Sequence, residues 1–508
     1  MSEHKKEHKK EPRKDNKDSD EHRLVAERKR KLAEVREKGI DPYPSVFRKT
    51  HYARDLQEKF SKLKNEEHSE NNVKVAGRLM AMRSMGKAAF AHVMDCSGKI
   101  QLYLRADDIG KEEYKLLKKF DIGDFIGVEG EVFKTKTGEI SIYVKKFQML
   151  TKSIKPLPEK FHGLKDQELR YRQRYLDLVM NPEVKETFMK RSKTISAMRE
   201  FLTNRDFVEV ETPILQPIYG GTNARPFESQ LNALNMKVYM RISDELYLKR
   251  LIVGGYEKVF EFCPDFRNEG IDKTHNPEFL QMETMWAYAN YEDNMDFVEE
   301  MIEFVVKKVN DGKTKLIYQG KEIDFKRPWK RVRMVDAIKE ELEKDVSDMD
   351  LEALRDFAEK SMIDDVKSMN WGELVESLFE KYCEEKIDQP TLILDFPAET
   401  SPLAKKKADN PKFVERFEIM LAGWELGNIY SELNDPQVLR ENWEAQRKMM
   451  DAGDDEAQPM DEDFINALEI GMPPTSGVGI GMDRLIMVLT DSPSIRDVIL
   501  FPFMKPEN

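Results

Sequence analysis

Residues 259–289 constrain the fold more than any other part of this 508-residue chain. The segment reads VFEFCPDFRNEGIDKTHNPEFLQMETMWAYA: a largely apolar run, a polar loop at residues 270–276, and a second run that Pro277 opens. This order predicts two strands joined by a loop. Because side chains alternate between the two faces of a strand, Arg267 and Glu269 should share one face of the first run.

The returning strand adds an aromatic ring to the same turn. Phe279, Glu283 and Met285 should share one of its faces, and His275 lies in the loop just before it. The guanidinium of the first run can fork onto a phosphate, the ring can stack on a purine, and a carboxylate can accept from an exocyclic amine. The segment therefore favours a nucleotide site. A hairpin with a solvated charged turn stays open as the alternative when the segment is considered by itself.

Three segments resemble the signature motifs of class II aminoacyl-tRNA synthetases. FRNEG…HNPEF resembles motif 2, in a wording closest to that of the lysyl-tRNA synthetases. GVGIGMDRL, which ends at Leu485, resembles motif 3, and the predicted helix and strand at residues 187–213 resemble motif 1, which builds the homodimer interface in that family. The resemblance runs from about Val73 to Pro502 and covers most of the chain.

Composition narrows the protein class. Charged residues are 35% and hydrophobic residues 40% of the chain, and no apolar run approaches the roughly 20 residues that a membrane span needs. Cys96, Cys263 and Cys383 are far apart, so we expect neither a disulfide framework nor a structural zinc site, and we expect a cytoplasmic location without a membrane partner. The net charge of −12 still permits a local basic face for nucleic acid.

The expected fold class is α+β. It combines an N-terminal OB-type β-barrel with a class II catalytic domain, whose mixed and mainly antiparallel sheet is flanked by helices. About five short alternating runs with turns between them predict the barrel. The expected boundaries are 1–22 for a disordered charged tail, 23–72 for an N-terminal helical segment, 73–151 for the barrel, 152–168 for a linker, and 169–508 for the catalytic domain. A mostly helical, charged insertion at about 291–388 is expected to lie outside the catalytic sheet.

Barrels of this type bind single strands by stacking bases on exposed aromatic rings over a basic groove. In the family that the chain resembles, this barrel reads the tRNA anticodon. The positions that match its readers are Arg83, Phe90, Gln101 and Glu139. A phenylalanine such as Phe90 is more often a core residue than a stacking platform, but the surrounding run MRSMGKAAF favours the functional interpretation.

The resemblance implies a reaction and assigns residues to it. The chain would activate L-lysine with ATP, with Mg²⁺ as cofactor, and transfer the lysyl group to the 3′ end of tRNA(Lys). Arg267 and Arg484 take the catalytic roles, the first at the α-phosphate and the lysine carboxylate, the second at the γ-phosphate. The other residues assigned to ATP are Glu269, His275, Asn276, Phe279 and Glu418.

Two glutamates are candidate metal ligands. Glu418 and Glu425 are seven residues apart, which places them on opposite faces of a regular hairpin unless a bulge at Gly423 restores them to one face. Two carboxylates that face a phosphate site need a divalent cation between them. Structural ion pairing is the commoner explanation of such a pair, and the resemblance implies that this pair holds Mg²⁺.

The residues of the amino-acid pocket can be chosen from the charge that the substrate would carry. A buried ammonium needs a carboxylate partner, because an unpaired buried charge costs several kcal/mol. In the family, the glutamate that matches Glu432 takes the lysine ε-amino group, and the residues that match Gly221 and Glu245 hold the α-amino group. An aspartate-specific relative would need a cation at position 432. The residues assigned to lysine are Gly221, Glu245, Glu283, Asn428, Tyr430 and Glu432.

Two positions depart from the family pattern. Met285 stands where a tyrosine commonly shares the ε-amino group, and Trp424 stands where a smaller or charged residue is usual. Two alternatives therefore remain beside a lysine enzyme: a class II paralogue that uses a lysine analogue or another acceptor, and a non-catalytic RNA-binding protein on a synthetase scaffold. Most such paralogues lack the barrel, and the intact Arg267 and Arg484 argue against the binding protein.

Overall fold

The computed structural model describes residues 14–158, 164–451 and 459–506. These residues divide into two compact units between residues 163 and 164. Residues 1–13 of the predicted tail and residues 159–163 of the predicted linker lie outside the described part. None of the helices in the described part combines the length and the apolar character that a membrane span requires.

The first unit contains a closed five-stranded barrel. Its strands are β1 His68–Met85, β2 Ala88–Met94, β3 Lys99–Arg105, β4 Phe125–Lys134 and β5 Ile140–Thr151. They pair in the order β1-β2-β3-β5-β4, and alternate side chains such as Val73, Val75 and Ile142 fill the interior. The predicted barrel is confirmed.

Four helices accompany the barrel: α1 Lys14–Glu37, α2 Ala53–Lys59, α3 Ala106–Ile109 and α4 Lys111–Leu116. The disorder predicted for residues 1–22 is wrong from Lys14 onward, because α1 begins there. Lysine and glutamate favour helix when spaced along one face, which the composition argument ignored. Arg28 of α1 is buried and donates to the carbonyls of Ile122 (3.0 Å) and Lys155 (3.1 Å), so this side of the helix binds protein rather than RNA.

The second unit is built on an eight-stranded sheet with two small sheets beside it. The main strands are β6 Val208–Glu209, β10 Lys258–Phe266, β11 Glu278–Ala287, β14 Lys330–Arg333, β15 Thr391–Leu394, β16 Arg416–Leu421, β17 Trp424–Ser431 and β18 Thr475–Gly481. The small sheets contain β7 Leu215–Gln216, β8 Glu228–Leu231 and β9 Met236–Met240, and β12 Lys315–Tyr318 and β13 Lys321–Asp324.

The main sheet runs in the order β14-β15-β16-β17-β18-β11-β10-β6. Among the described strands of this main sheet, only the outer pairs are parallel, β14 with β15 and β10 with β6. The predicted mixed and mainly antiparallel sheet is confirmed. The helices around it are α5 Gln167–Arg172, α6 Arg174–Met180, α7 Pro182–Thr203, α8 Glu245–Val253, α9 Tyr291–Val309, α10 Met334–Leu342, α11 Leu351–Lys360, α12 Trp371–Tyr382, α13 Pro436–Asp451, α14 Glu462–Ile470, α15 Met482–Leu489 and α16 Ile495–Val498.

The helical insertion expected at about 291–388 does not lie wholly outside the sheet. Val298 and Val305 of α9 pack in the same apolar cluster as Ile429 and Val478 of the central strands. β14 also belongs to the main sheet, through its pairing with β15. The expectation failed because it weighed the charged exterior of α9 and overlooked its apolar stripe.

Two local predictions also need correction. β10 ends at Phe266, so Arg267 and Glu269 lie in the following loop rather than in a strand. The predicted bulge at Gly423 is wrong, because residues 422–423 form the two-residue hairpin turn, with positive φ at both positions. The register instead shifts near Leu426, where Gly427 pairs with Ile419 while residue 425 already pairs with residue 420. An extra residue at this point brings the side chain of position 425 to the other face of the hairpin.

Candidate active site

A cavity of about 410 Å³ lies against the main sheet, between β11, β16, β17 and β18 and the loop that follows β10. Every residue that the sequence assigned to ATP, metal or lysine lines this cavity, although the residues come from segments more than 200 positions apart. These residues are Gly221, Glu245, Arg267, Glu269, His275, Asn276, Phe279, Glu283, Glu418, Glu425, Asn428, Tyr430, Glu432 and Arg484.

The loop after β10 places a cation beside an aromatic ring. The backbone amide of Arg267 donates to the Pro277 carbonyl (3.0 Å), which closes the loop between β10 and β11. The Arg267 guanidinium then lies 5.0 Å from the centre of the Phe279 ring. A partly exposed ring next to a fork of N–H donors suits a planar base with an attached phosphate.

The loop is held in shape by Asp272. Its Oδ2 lies 2.8 Å from His275 Nδ1, and its Oδ1 accepts from the backbone amides of Thr274 (2.7 Å) and His275 (2.8 Å). Although partial burial opposes it, hydrogen bonding from these two residues lowers the pKa of Asp272 to about 2. His275 Nε2 then lies 3.4 Å from Arg484 Nη2, so the loop meets the far side of the cavity.

Arg484 is positioned from the start of α15. The preceding Asp483 is buried, accepts from the Leu280 amide of β11 (2.7 Å) and pairs with Arg191 of α7. Arg484 Nη1 donates to the Glu425 carbonyl (2.6 Å) and lies 3.7 Å from the carboxylate of the same residue. The guanidinium is therefore held by β17, the preceding residue is held by β11, and the side chain of Arg484 remains 24% exposed at the cavity.

Glu418 and Glu425 share this end of the cavity. Burial, followed by repulsion from Glu425, raises the pKa of Glu418 to about 8, and Arg416 opposes the rise. Arg416 Nη2 lies 2.5 Å from Glu418 Oε1, and its Nε donates to Asn428 Oδ1 (2.9 Å). The candidate metal ligands thus offer oxygen atoms, and their mutual repulsion is the kind that a divalent cation relieves.

The opposite end of the cavity is acidic. Tyr430 donates from its hydroxyl to Glu245 Oε2 (2.6 Å), and Lys249 lies 2.5 Å from both Glu245 Oε1 and Glu432 Oε2. Burial raises the pKa of Glu432 to about 8; Lys249 opposes the rise and Glu245 adds to it. Burial by itself would lower the pKa of Lys249, but the attraction of the two carboxylates raises it above its ordinary value.

Two glycines leave room for this arrangement. Gly221 has a φ of 95°, and a Cβ there would meet Ser243 Oγ at 2.8 Å, so only glycine fits without strain. A Cβ on Gly477 would overlap Glu432 Oε1 and approach Met285 Cε to 2.9 Å. Met285 and Glu432 therefore lie side by side over Gly477.

Behind this end lies a cluster of buried acidic groups: Asp244, Cys263, Asp265 and Glu283 offer side-chain atoms within 4.8 Å of one another. Burial, followed by repulsion from Asp244, raises the pKa of Glu283 and of Asp265 well above their usual ranges, and burial raises the pKa of Asp244 to about 6. The cluster therefore carries less negative charge near neutral pH than its composition suggests.

Three of the four predicted anticodon residues, Arg83, Phe90 and Gln101, lie on β1, β2 and β3, and Glu139 lies in the turn just before β5. Arg83 lies opposite Phe90, and the Phe90 ring is half-buried against Tyr103, with 4.7 Å between ring centres. Gln101 is 8% exposed and donates to the exposed Glu139 (2.7 Å). One basic group, one ring and one amide–carboxylate pair are therefore available on this barrel.

Each of the two units matches the model of a known protein family. Residues 166–505 match the model of the class II tRNA synthetases of the D, K and N group, and residues 73–150 match the OB-fold nucleic acid binding domain. The chain belongs to the class II tRNA synthetases. The resemblance of its motifs is thereby confirmed.

Curated relatives of this synthetase match it over most of its length. It is 54% identical to the lysine–tRNA ligase of Clostridium novyi (strain NT), over 96% of each chain. It is 53% identical to the lysine–tRNA ligase of Clostridium acetobutylicum, over 95% of this chain and 94% of the relative. It is 50% identical to that of Carboxydothermus hydrogenoformans, over 96% of this chain and 98% of the relative.

Sequence reasoning missed several residues that shape the site of this synthetase. Lys249 lies one helical turn after Glu245, a spacing that could have signalled an ion pair. Arg416 and Asp483 carried no local signal, because their partners come from other segments. Trp424, which the sequence marked as a departure near the pocket, is partly buried and packs against the main core, with 5.9 Å between its ring centre and that of Tyr318.

Proposed function

We infer that this synthetase is a lysine–tRNA ligase, which activates L-lysine with ATP and transfers it to tRNA(Lys). The observation that carries the inference is the cavity itself. At one end Arg267, Arg484 and Phe279 suit a nucleotide, and at the other end buried carboxylates suit two ammonium groups. The lysine–tRNA ligases named above support the same substrate.

ATP binds at the arginine end of the cavity. Phe279 stacks on the adenine. Glu269 and Asn276 form hydrogen bonds with the polar edge of the same base. Arg267 contacts the α-phosphate, and Arg484 contacts the γ-phosphate with the help of His275, which lies beside it. Two fixed guanidinium groups at the ends of the triphosphate hold it in one bent geometry.

Mg²⁺ accompanies ATP, and the residues present fit it. Glu418 and Glu425 both line the cavity and offer carboxylate oxygens, the ligands that Mg²⁺ prefers. When bound, the ion neutralises phosphate charge. The residues of the chain hold the two carboxylates in place, because Arg416 pairs with the first and Arg484 binds the backbone carbonyl of the second.

L-lysine binds at the acidic end. Gly221 and Glu245 hold its α-amino group, Glu432 takes its ε-amino group, and Glu283, Asn428 and Tyr430 complete the wall. Paired carboxylates are required here because an ammonium that leaves water without a partner costs several kcal/mol. The substrate carboxylate then reaches toward Arg267 at the middle of the cavity.

The reaction has two steps. A carboxylate oxygen of lysine attacks the α-phosphorus of ATP, the bond to the β-phosphate oxygen breaks, and pyrophosphate leaves with its electron pair. A hydroxyl of the 3′-terminal ribose of tRNA then attacks the lysyl carbonyl carbon, and AMP leaves. Arg267 stabilises the charge on the α-phosphoryl group, so catalysis rests on positioning and charge compensation.

The barrel recognises the anticodon. Phe90 provides a stacking surface on Tyr103, and Arg83 provides a cation opposite it. Gln101 and Glu139 present an amide and a carboxylate to base edges. Bases stack on such rings while basic groups attract the backbone.

The enzyme acts as a homodimer in the cytoplasm. Support for the dimer comes from apolar side chains that remain exposed along β6, β7 and β8: Val208, Ile214, Leu215, Ile218, Leu231 and Leu234. Exposed apolar side chains in this number favour an interaction surface. The cytoplasmic location is supported by the three free cysteines and by the need for ATP and tRNA.

One observation favours a second candidate, the activation of a lysine analogue. Met285 lies beside Glu432 over Gly477, and its thioether is a weak acceptor, so part of the ε-amino site is apolar. ATP–pyrophosphate exchange with each amino acid and with lysine analogues tests both candidates. We expect exchange with lysine above all others. Stronger exchange with an analogue would favour the second candidate, and exchange with none would leave an RNA-binding protein.

A further inference from the structure

Lys249 is a buried cation on α8, with 1% of its side chain exposed. Its Nζ lies 2.5 Å from Glu245 Oε1 and 2.5 Å from Glu432 Oε2. These are the two carboxylates to which the proposed function assigns the two amino groups of lysine. A cation of the protein therefore joins the two substrate-binding acids.

The remaining oxygen of each acid has a neighbour other than Lys249. Glu245 Oε2 accepts from the hydroxyl of Tyr430, and Glu432 Oε1 lies against Gly477. Glu245, Tyr430, Glu432 and Gly477 all line the cavity. Lys249 thus contacts one oxygen of each carboxylate and leaves the other outside the ion pair.

A carboxylate buried as deeply as Glu432 tends to take up a proton, since burial penalises its charged form. A protonated carboxyl group is a poor partner for an ammonium ion. Lys249 opposes this effect of burial and lowers the pKa of Glu432, while Glu245 and Glu432 together raise the pKa of Lys249. The other titratable groups that face this pair are Tyr430 on β17 and Glu283 on β11.

We propose that Lys249 is a positioning residue of the lysine site. It fixes one oxygen of Glu245 and one of Glu432, so that the second oxygen of each faces an amino group of the substrate, and its positive charge offsets part of their negative charge. The proposal rests on the proposed function and adds to it a group that does not itself touch the substrate.

The decisive variant is Lys249→Met, which keeps the length of the side chain and removes its charge. In lysine-dependent ATP–pyrophosphate exchange, we expect the KM for lysine to rise by roughly tenfold or more near pH 7. The increase in the KM for lysine should shrink as pH rises. Without Lys249 the pKa of Glu432 is higher, so this acid ionises only at higher pH. The KM for ATP should stay within about twofold of the wild-type value, since the arginine end of the cavity is unchanged.

Two further variants separate positioning from folding. Arg250→Met removes the neighbouring cation of the same helix, which pairs with Asp461 (2.7 Å) and not with the lysine site. It should leave the KM for lysine and its pH profile unchanged. Lys249→Arg keeps the charge with a different shape. It should therefore show the wild-type pH profile, with a KM for lysine between those of the wild type and Lys249→Met. This variant also carries the test if Lys249→Met does not fold.

The outcomes are distinguishable. If the wild-type chain shows no exchange with lysine, the proposed function fails first. If the wild type activates lysine and Lys249→Met keeps its KM and pH profile, only the role of Lys249 is overturned. A lower kcat together with equal increases in the KM values for lysine and ATP, at an unshifted pH profile, would also overturn the role of Lys249. That result would indicate a purely structural residue.

Discussion

The hydroxyl of Tyr430 donates to Glu245 Oε2 at 2.6 Å, although the two residues are 185 positions apart. This bond ties strand β17 to the start of helix α8 at the lysine end of the cavity. It fixes the carboxylate to which we assign the α-amino group of the substrate.

Tyr430→Phe should therefore weaken lysine binding. A hydrogen bond to a charged group is worth about 1.5–3 kcal/mol, so the KM for lysine should rise by roughly 10- to 150-fold, with a smaller effect on the KM for ATP. Steady-state ATP–pyrophosphate exchange measures both constants. An unchanged KM for lysine would mean that Glu245 keeps its orientation without this bond. Tyr382→Phe, which removes a hydroxyl that bonds the Ser361 carbonyl, is a matched control outside the cavity.

Glu432→Gln should abolish lysine activation and preserve ATP binding. The substitution keeps the shape of the side chain and removes the charge that pairs with the ε-ammonium. Equilibrium binding of ATP, measured by calorimetry, should match the wild type, while lysine-dependent exchange should fall by a factor of about 100 or more. Comparable losses of both activities would place Glu432 in the support of the whole cavity instead.

The KM for lysine should depend on pH in the wild-type enzyme. Burial raises the pKa of Glu432 to about 8, so this acid is largely protonated below that pH in the empty pocket. Only the ionised form pairs with the ε-ammonium, and the KM for lysine should accordingly fall as pH rises from about 6 to about 8. The KM for ATP, measured over the same range, is the internal reference. A KM for lysine that is flat or rises over this range would contradict the assignment.

Gly477→Ala should perturb the ε-amino site directly. A Cβ at this position overlaps Glu432 Oε1 and approaches Met285 Cε to 2.9 Å, so the carboxylate must move. We expect the KM for lysine to rise by about tenfold, which corresponds to about 1.4 kcal/mol. Gly98→Ala in the barrel is the matched control, because a Cβ there meets nothing within 4 Å. Equal behaviour of the two variants in lysine exchange would show that Glu432 can relocate freely.

Phe90→Ala should impair aminoacylation of tRNA and spare adenylate formation. Loss of one stacked base costs about 1–3 kcal/mol, which would appear in the KM for tRNA. The ring also packs against Tyr103, so thermal unfolding of the variant must be recorded alongside. A drop in stability with an unchanged KM for tRNA would identify Phe90 as a core residue of the barrel.

The sequence by itself determined the fold class and the members of the cavity. Alternation along short runs specified the barrel, since a period of two commits every second side chain to the interior. The motif segments around Arg267, Glu432 and Arg484 named residues that the structure brings to one cavity. The resemblance to the family supplied these residues, and strand alternation did not, since Arg267 lies in a loop and not on the predicted strand.

Only the tertiary structure decided how charges in the cavity are compensated. Three contacts in the cavity show this. Lys249 lies between Glu245 and Glu432, Arg416 pairs with Glu418, and Asp483 accepts from the backbone amide of Leu280. The same holds for the shift at Leu426, which depends on the register between β16 and β17. Ion pairing and strand register are set by packing in three dimensions, and the energy of a buried charge depends on partners that no local pattern contains.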